Sequence, residues 1–565
     1  MKKLKLLTVS FASILGITAC GGGDIIHVVD QELVNELPSS PVTIKFWHCL
    51  GQEKTKNLNK VIEAFNVKYA GHFVLDASVP GGSTYDGLHS AVKTRVASGN
   101  VPALTMGYPD SFSEYMGVRL EGSDILRLTN FINDARTINV NVIEQDASGN
   151  WVVKKDSSGN PVKEDMRLGY TQAELNDFVA PYLKEGEGYQ FTGYWSLPMY
   201  KSTEVMFYNY DYFMGDNPVN DDIFDEESDT DPNNYWGIKK AKTALGKYYG
   251  QKHDAYVAKL AELKEYVEAH GGVTYEVPTK WDEMLIDQKD AQGNITKKSL
   301  AKQMIDDRAA HGVDNTNFAP VGYDSDANMV ISQMMQRGIP YTSNDNIESK
   351  ADHLLFNNTK AEALLNEIYG CITSSYLCTK YSIDQTGSSY TNDKFSRGEC
   401  VMSIGSTGGS DYQVNDNFAV EVAPVPYSGS TPKYVQQGPS ICFFDNENPK
   451  ITTGAWLFYK MLADPDMNTA LATENSYDPV RISSVESDSY KEFISLKKEA
   501  LLNYVPTITH LPQIANNQFT TPVFVGSSTC RTQMAELILR MVHNHHDAKT
   551  ALQNAFDAAM NATKK

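Results

Sequence analysis

His543, His546 and Asp547 stand at helical spacing in Val-His-Asn-His-His-Asp, and one face of such a helix could clamp a transition metal. Exposed histidines near a helix break account for them better. Asp324-Ser325-Asp326-Ala327-Asn328 imitates the start of a calcium loop, but it lacks the glycine at the sixth position and the closing glutamate at the twelfth. Nucleophilic and phosphate chemistry find no footing either. The chain contains no Gly-x-Ser-x-Gly elbow, no His-Glu-x-x-His and no Gly-x-x-x-x-Gly-Lys-Ser/Thr loop. A carboxylate pair could hydrolyse a glycoside, yet with 70 aspartates and glutamates their presence singles out none. No metal and no cofactor is expected.

The elements that would carry other chemistry are easier to place. Val42 to Trp47 alternate like a strand, and Gly51 closes a short loop after it. Leu58, Val61, Ile62, Phe65 and Tyr69 recur at helical spacing. Residues 73–79 read as a second strand, and Tyr85 to Ser98 as a helix stopped by Gly99. Strand then helix, repeated, predicts an α/β fold around a parallel sheet. Residues 146–164 carry Ala-Ser-Gly-Asn and Ser-Ser-Gly-Asn turns and predict a surface hairpin. The acids between 215 and 234 predict a solvated loop, followed by a long helix that ends at Gly271-Gly272. Met534 to Val542 and Leu552 to Met560 mark two amphipathic helices near the C-terminus.

The N-terminus gives an address. Lys2, Lys3 and Lys5 precede an apolar run from Leu6 to Ile17, too short for a bilayer span of roughly 20 residues, so a cleaved export signal over 1–19 is expected. Ile17-Thr18-Ala19-Cys20 resembles the bacterial lipobox, which implies lipidation of Cys20 and a membrane anchor outside the cytoplasm. Residues 20–40 then read as a flexible tether. A length of 565 residues favours two lobes, and a net charge of -20 argues against nucleic acid. Cys49, Cys371, Cys378, Cys400, Cys442 and Cys530 either pair, with Cys371 and Cys378 closest in sequence, or serve as small buried apolar residues.

The order of further motifs resembles the family-1 extracellular solute-binding proteins of ABC importers. After the opening strand and helix come Ser98-Gly99-Asn100-Val101-Pro102-Ala103, then Leu197-Pro198 with Met206-Phe207-Tyr208-Asn209-Tyr210-Asp211. Pro278-Thr279-Lys280-Trp281-Asp282-Glu283, Phe395-Ser396-Arg397-Gly398-Glu399-Cys400-Val401-Met402 and Asn475-Ser476-Tyr477-Asp478-Pro479-Val480-Arg481 follow in the family's order. The resemblance implies a two-lobed, periplasmic-binding-protein-like fold of type II, with a hinge and a ligand cleft between lobes. It places one lobe at 41–195 with 427–475 and the other at 196–426 with 476–565. It also implies a monomer that hands a sugar or related polyol to an ABC permease without altering it. A surface glycan binder without a permease, and a glycerol-3-phosphate-type binder, remain alternatives.

Matched to the glycerol-3-phosphate binders residue by residue, the ligand positions fall on Tyr85, Asp110, Ser202, Ser406, Gly438 and Tyr477. Each has a plainer reading: a core tyrosine for Tyr85, a helix N-cap for Asp110, loop chemistry for Ser202 and Ser406. Trp47 and Trp195 are further stacking candidates beside core packing. Phe524 stands where those binders carry an arginine for phosphate. An aromatic face suits a sugar ring, whereas it cannot neutralise a phosphate; Arg531 or Lys201 could supply charge instead. A neutral saccharide is therefore expected.

Overall fold

The computed structural model describes residues 28–116, 125–223, 253–414, 417–495, 505–506 and 508–563, with side chains from 260 onward in the helix that opens at His253. The export signal, Cys20, residues 20–27 of the expected tether and residues 224–234 of the acidic stretch lie outside them.

In chain order the elements that frame the site begin with β1 (Val42–Trp47), α1 (Gln52–Lys68), β2 (Phe73–Ser78), α2 (Tyr85–Ala97), β3 (Leu104–Gly107) and α3 (Pro109–Ser113). Next come β4 (Leu197–Pro198), β5 (Glu204–Asn209), β6 (Val321–Tyr323) and α4 (Asp326–Gln336). The chain continues with β7 (Leu377–Thr379), β8 (Met402–Ser406), β9 (Val420–Pro424) and β10 (Ser440–Phe443). It ends with α5 (Pro449–Leu462), α6 (Pro465–Thr473), α7 (Ser527–Val542) and α8 (Ala548–Ala562).

Two five-stranded sheets result, in the orders β2-β1-β3-β10-β4 and β7-β6-β8-β5-β9. Each has the same plan. Three neighbouring strands run parallel, and the fourth, β10 or β5, is reversed. The expected parallel sheet is thus mixed, because in each sheet the reversed strand follows directly on a crossing from the other body. Each sheet has its own core. Ile44, Phe46, Leu58, Phe65, Leu104, Trp456 and Phe458 belong to the first; Val205, Phe207, Val321, Met334, Leu365, Ile404 and Leu537 belong to the second.

Among the described residues the chain crosses between the bodies at Met199–Thr203, between β4 and β5, and in the stretch between β9 and β10; at Val505 and Ile508 it lies against the second core again. The helices Ile482–Glu486 and Asp488–Ser495 pack on α6 and so stay with the first body, which carries the expected lobe boundary at 476 further along the chain. Val523 and Val525 sit in the first core while Phe524, between them, sits in the second. Alternate side chains of an extended segment point to opposite faces, so this short run straddles the seam.

Two expectations change here. Residues 28–40 are not a free tether: Leu33 is buried in the first core, its carbonyl accepts from Arg136, and the Val34 N–H donates to Thr453 Oγ1 at 2.8 Å. All six cysteines described are buried free thiols. Cys371 Sγ points to the Leu285 carbonyl, and the nearest thiol to Cys378 is Cys400, at 3.4 Å. Residues 143–167 form two stacked hairpin turns in place of one, each closed by an aspartate, Asp146 or Asp156, that accepts two backbone N–H groups. No described helix is long and apolar enough to cross a membrane.

Candidate functional site

The crossing itself is built from short backbone ladders. Lys201 and Asp478 exchange N–H···O=C bonds of 2.9 and 2.7 Å, and Ser202 and Gln437 exchange bonds of 3.0 and 2.8 Å. Three segments distant in sequence therefore lie side by side at residues 201–202. Gly438 has φ +92°, and a Cβ there would come within 2.7 Å of the Lys201 Cα. Its missing side chain thus serves the close approach of two backbones. Beneath the ladder the Lys201 ammonium is fully buried and bonded to Glu185, the Gly438 carbonyl (3.1 Å) and Ser440 Oγ (2.9 Å). Burial pulls the lysine below its ordinary range, and Glu185 opposes that pull.

In both sheets the polar residues of interest gather beyond the carboxyl ends of the parallel strands, where open α/β sheets place their ligands. After β1 comes Cys49, and Lys54 in the first turn of α1. After β3 comes Tyr108, the N-cap of α3, so Asp110 lies inside that helix's first turn and is not its cap. Tyr85 opens α2 under the side chain of Thr84, which accepts the Gly87 N–H. The rings of Tyr85 and Tyr108 lie 4.6 Å apart, and those of Tyr200 and Tyr477 lie 4.2 Å apart. Burial pushes all four hydroxyls up, that of Tyr477 to about 12 against the pull of its hydrogen bond with Tyr85. The Tyr200 hydroxyl is fully buried and has no hydrogen-bond partner among the described residues.

Facing them on the second body are Glu204 at the start of β5, Tyr323 at the end of β6, Asn328 on α4, Ser406 at the end of β8, and Arg531 on α7. Tyr323 Oη and Asn328 Nδ2 each donate to Glu204 at 2.6 Å, and Arg531 Nη2 donates to Asn328 Oδ1. Burial raises the Glu204 carboxyl to about 7 against the pull of those donors and of Arg531. Burial also raises Asp110, and the Arg531 charge draws it back down. Arg531 thus feels Asp110 across the seam, yet it makes no ion pair with any described carboxylate.

Direct bonds bridge the two bodies around this space. Lys54 Nζ donates to the Gly408 carbonyl at 3.0 Å and stands 5.1 Å over the Tyr477 ring. Ser113 and Ser527 meet at 3.2 Å, and Thr529 Oγ1 donates to Glu114 at 3.4 Å. A Cβ on Gly408 would come within 2.7 Å of the Tyr477 ring, so a larger residue there would push that ring aside.

The residues singled out in the sequence separate accordingly. Tyr85 and Tyr477 belong to the tyrosine group, Asp110 feels Arg531, and the Ser202 and Ser406 hydroxyls stand 3.5 Å apart. Gly438 belongs to the crossing. Trp47 is nearly buried at the end of β1 with the Arg95 guanidinium 5.1 Å over its ring. Trp195 is wholly buried in the first core and donates to the Phe191 carbonyl at 3.1 Å. Phe524 is wholly buried and stacked on His353 at 4.3 Å. Both rings are spent on packing. Asp547 caps α8, and the His543 ring bonds the Tyr381 carbonyl. Tyr108, Tyr200, Lys54, Glu204 and Asn328 were not singled out as ligand residues. Asn328 lay in plain view inside the calcium-loop imitation, which is the turn from β6 into α4: Ser325 caps that helix by accepting the Asn328 N–H.

Residues 60–498, most of the chain, match the sequence profile of the bacterial extracellular solute-binding proteins. The chain belongs to that family. No curated protein sequence matches it. Among solved structures, this solute-binding protein is similar to the cyclic alpha-maltosyl-1,6-maltose binding protein of Arthrobacter globiformis, at 14% identity and TM-score 0.56, over 93% of this chain and 99% of that one. UgpB of Mycobacterium tuberculosis, solved in complex with glycerophosphocholine, is similar at 12% identity and TM-score 0.56, over 92% and 98%. MalE3 of T. maritima, solved with maltose bound, matches at 13% identity and TM-score 0.55, over 92% and 98%. At such identities the likeness is one of fold: mixed α/β, in two domains.

Proposed function

We propose that this solute-binding protein captures a neutral, hydroxyl-rich solute, a sugar or related polyol, between its two bodies and delivers it unaltered to an ABC permease. The observation that carries the reading is the buried, unpartnered Tyr200 hydroxyl among four tyrosines, opposite Glu204, Asn328 and Arg531. A buried hydroxyl without a partner costs about 1–3 kcal/mol, and a solute hydroxyl relieves that cost. Tyrosine faces suit the apolar side of a sugar ring. The charges favour a neutral solute: Arg531 lies in the field of Asp110, and Lys54 in that of Asp411. The residues proposed as ligand contacts are Tyr85, Tyr108, Asp110, Tyr200, Ser202, Ser406, Tyr477 and Arg531. Saccharide binding by relatives of the same fold, named above, supports the same class.

Closure would be a hinge motion at residues 201–202, which a solute stabilises by touching both sides. The lobes we propose are those of the two cores, and the chain acts as a monomer held to the membrane through lipid on Cys20. Since only residues 20–27 lie between that lipid and the docked segment at 28, an anchored protein would ride close to the bilayer, within about 3.5 Å per residue of chain.

A thermal-shift screen against mono- and oligosaccharides, polyols, glycerol phosphates and glycerophosphocholine tests the proposal, because a ligand of the native state raises its melting point. Maltose, mannotriose or a related neutral sugar should shift it. A shift by glycerol phosphates alone, or recovery of chemically changed sugar, overturns the reading.

A further inference from the structure

Glu204, Asn328 and Arg531 come from β5, α4 and α7, three elements of the second body far apart in sequence, and form one continuous hydrogen-bonded line. Glu204 and Asn328 are almost wholly buried, at 3% and 1% exposure. Both oxygens of Glu204 are engaged by donors, the Tyr323 hydroxyl and the Asn328 amide, each at 2.6 Å. An amide has one donating and one accepting end. With its Nδ2 committed to Glu204, Asn328 can turn only its oxygen toward Arg531, and that oxygen takes the guanidinium. The cation is thus anchored from behind, while its field reaches Asp110 and Tyr108 on the first body.

We propose that Glu204 and Asn328 are positioning residues that fix Arg531 as a stationary cation between the bodies, opposite Asp110. On the reading above, this makes the site one for a solute that offers hydroxyls to a donor and an acceptor together. A free arginine side chain would swing to an anion. A guanidinium tied at one nitrogen and balanced by a carboxylate opposite selects neutral neighbouring hydroxyls instead. Glu204 acts through Asn328 and needs no contact with the solute.

The test follows Arg531 itself and needs no known ligand. The purified full-length protein is labelled with phenylglyoxal, and each arginine is followed by peptide mass spectrometry. Arg397, whose side chain is 57% exposed, normalises the reagent, and buried Arg481, at 3% exposure, reports unfolding. In Asn328→Leu and Glu204→Leu, Arg531 should label about tenfold faster than in the wild type, the effect of losing one charge-assisted hydrogen bond. Glu204→Gln keeps a hydrogen-bonding side chain and should restore protection. That rescue by the uncharged isostere is a readout that general loosening would not produce. Should Arg481 label in a variant, Asn328→Ser replaces it. Unchanged Arg531 labelling in both leucine variants overturns the relay. Inorganic phosphate serves as the anionic probe: wild-type labelling that ignores it supports selection of neutral solutes. Slowing by phosphate overturns the neutral-solute reading while the relay stands, so the two failures are told apart.

Discussion

Gly438 and Lys201 touch twice: the glycine carbonyl accepts the buried ammonium at 3.1 Å, and the glycine Cα rests against the lysine backbone where no side chain fits. One crossing point therefore combines a steric and an ionic requirement.

Gly438→Ala should lower stability by about 2 kcal/mol or more, from a left-handed φ and a Cβ forced within 2.7 Å of backbone. Urea unfolding measures it. An alanine variant as stable as the parent would show that the crossing yields easily.

The buried pair Lys201–Glu185 should respond unequally to single and double change. Lys201→Met leaves the Glu185 carboxyl without its cation and should cost about 3–5 kcal/mol, whereas Lys201→Met with Glu185→Leu should recover much of that loss. The same denaturation series checks both.

Tyr200→Phe removes a hydroxyl that nothing in the described chain satisfies. Without solute the variant should be as stable as the parent or about 1 kcal/mol more so. Affinity for whichever saccharide shifts the melting point should fall about tenfold, one hydrogen bond's worth, by titration calorimetry. Unchanged affinity would remove Tyr200 from the site.

Stability should carry a signature of Glu204. Burial raises its folded value from 4.5 to about 7, so between those limits the native chain keeps a proton that the unfolded chain has released. Stability therefore falls as pH rises through that window and levels off above about 7. Glu204→Gln should abolish this component, and unfolding curves at pH 5, 6, 7 and 8 would reveal whether it does.

Much of the architecture was legible in residue order. Leu58, Val61 and Phe65 marked α1, the alternation from Val42 to Trp47 marked β1, and the motif series led to the family. These signals are local, since a repeat of two or of 3.6 residues needs no knowledge of what lies opposite. Tyr85 and Tyr477 came instead from the family resemblance, matched one position at a time, and the structure sets them in the same group of tyrosines.

What periodicity could not reach is which side chains share one space. Phe524 and Trp195 read as ring faces for a ligand, but a wholly buried aromatic gains most by packing, and each is enclosed in a core. Glu204, Asn328 and Arg531 are separated by more than a hundred residues at each step and became neighbours only when three elements converged. By itself the sequence determined the strands, the helices, the overall charge and the family pattern, all of which depend on neighbours along the chain. Tertiary structure alone decided the orphaned hydroxyl, the glycine at the crossing and the line of donors behind Arg531. Each of these arises from burial and direction between distant segments, and neither is written in local spacing.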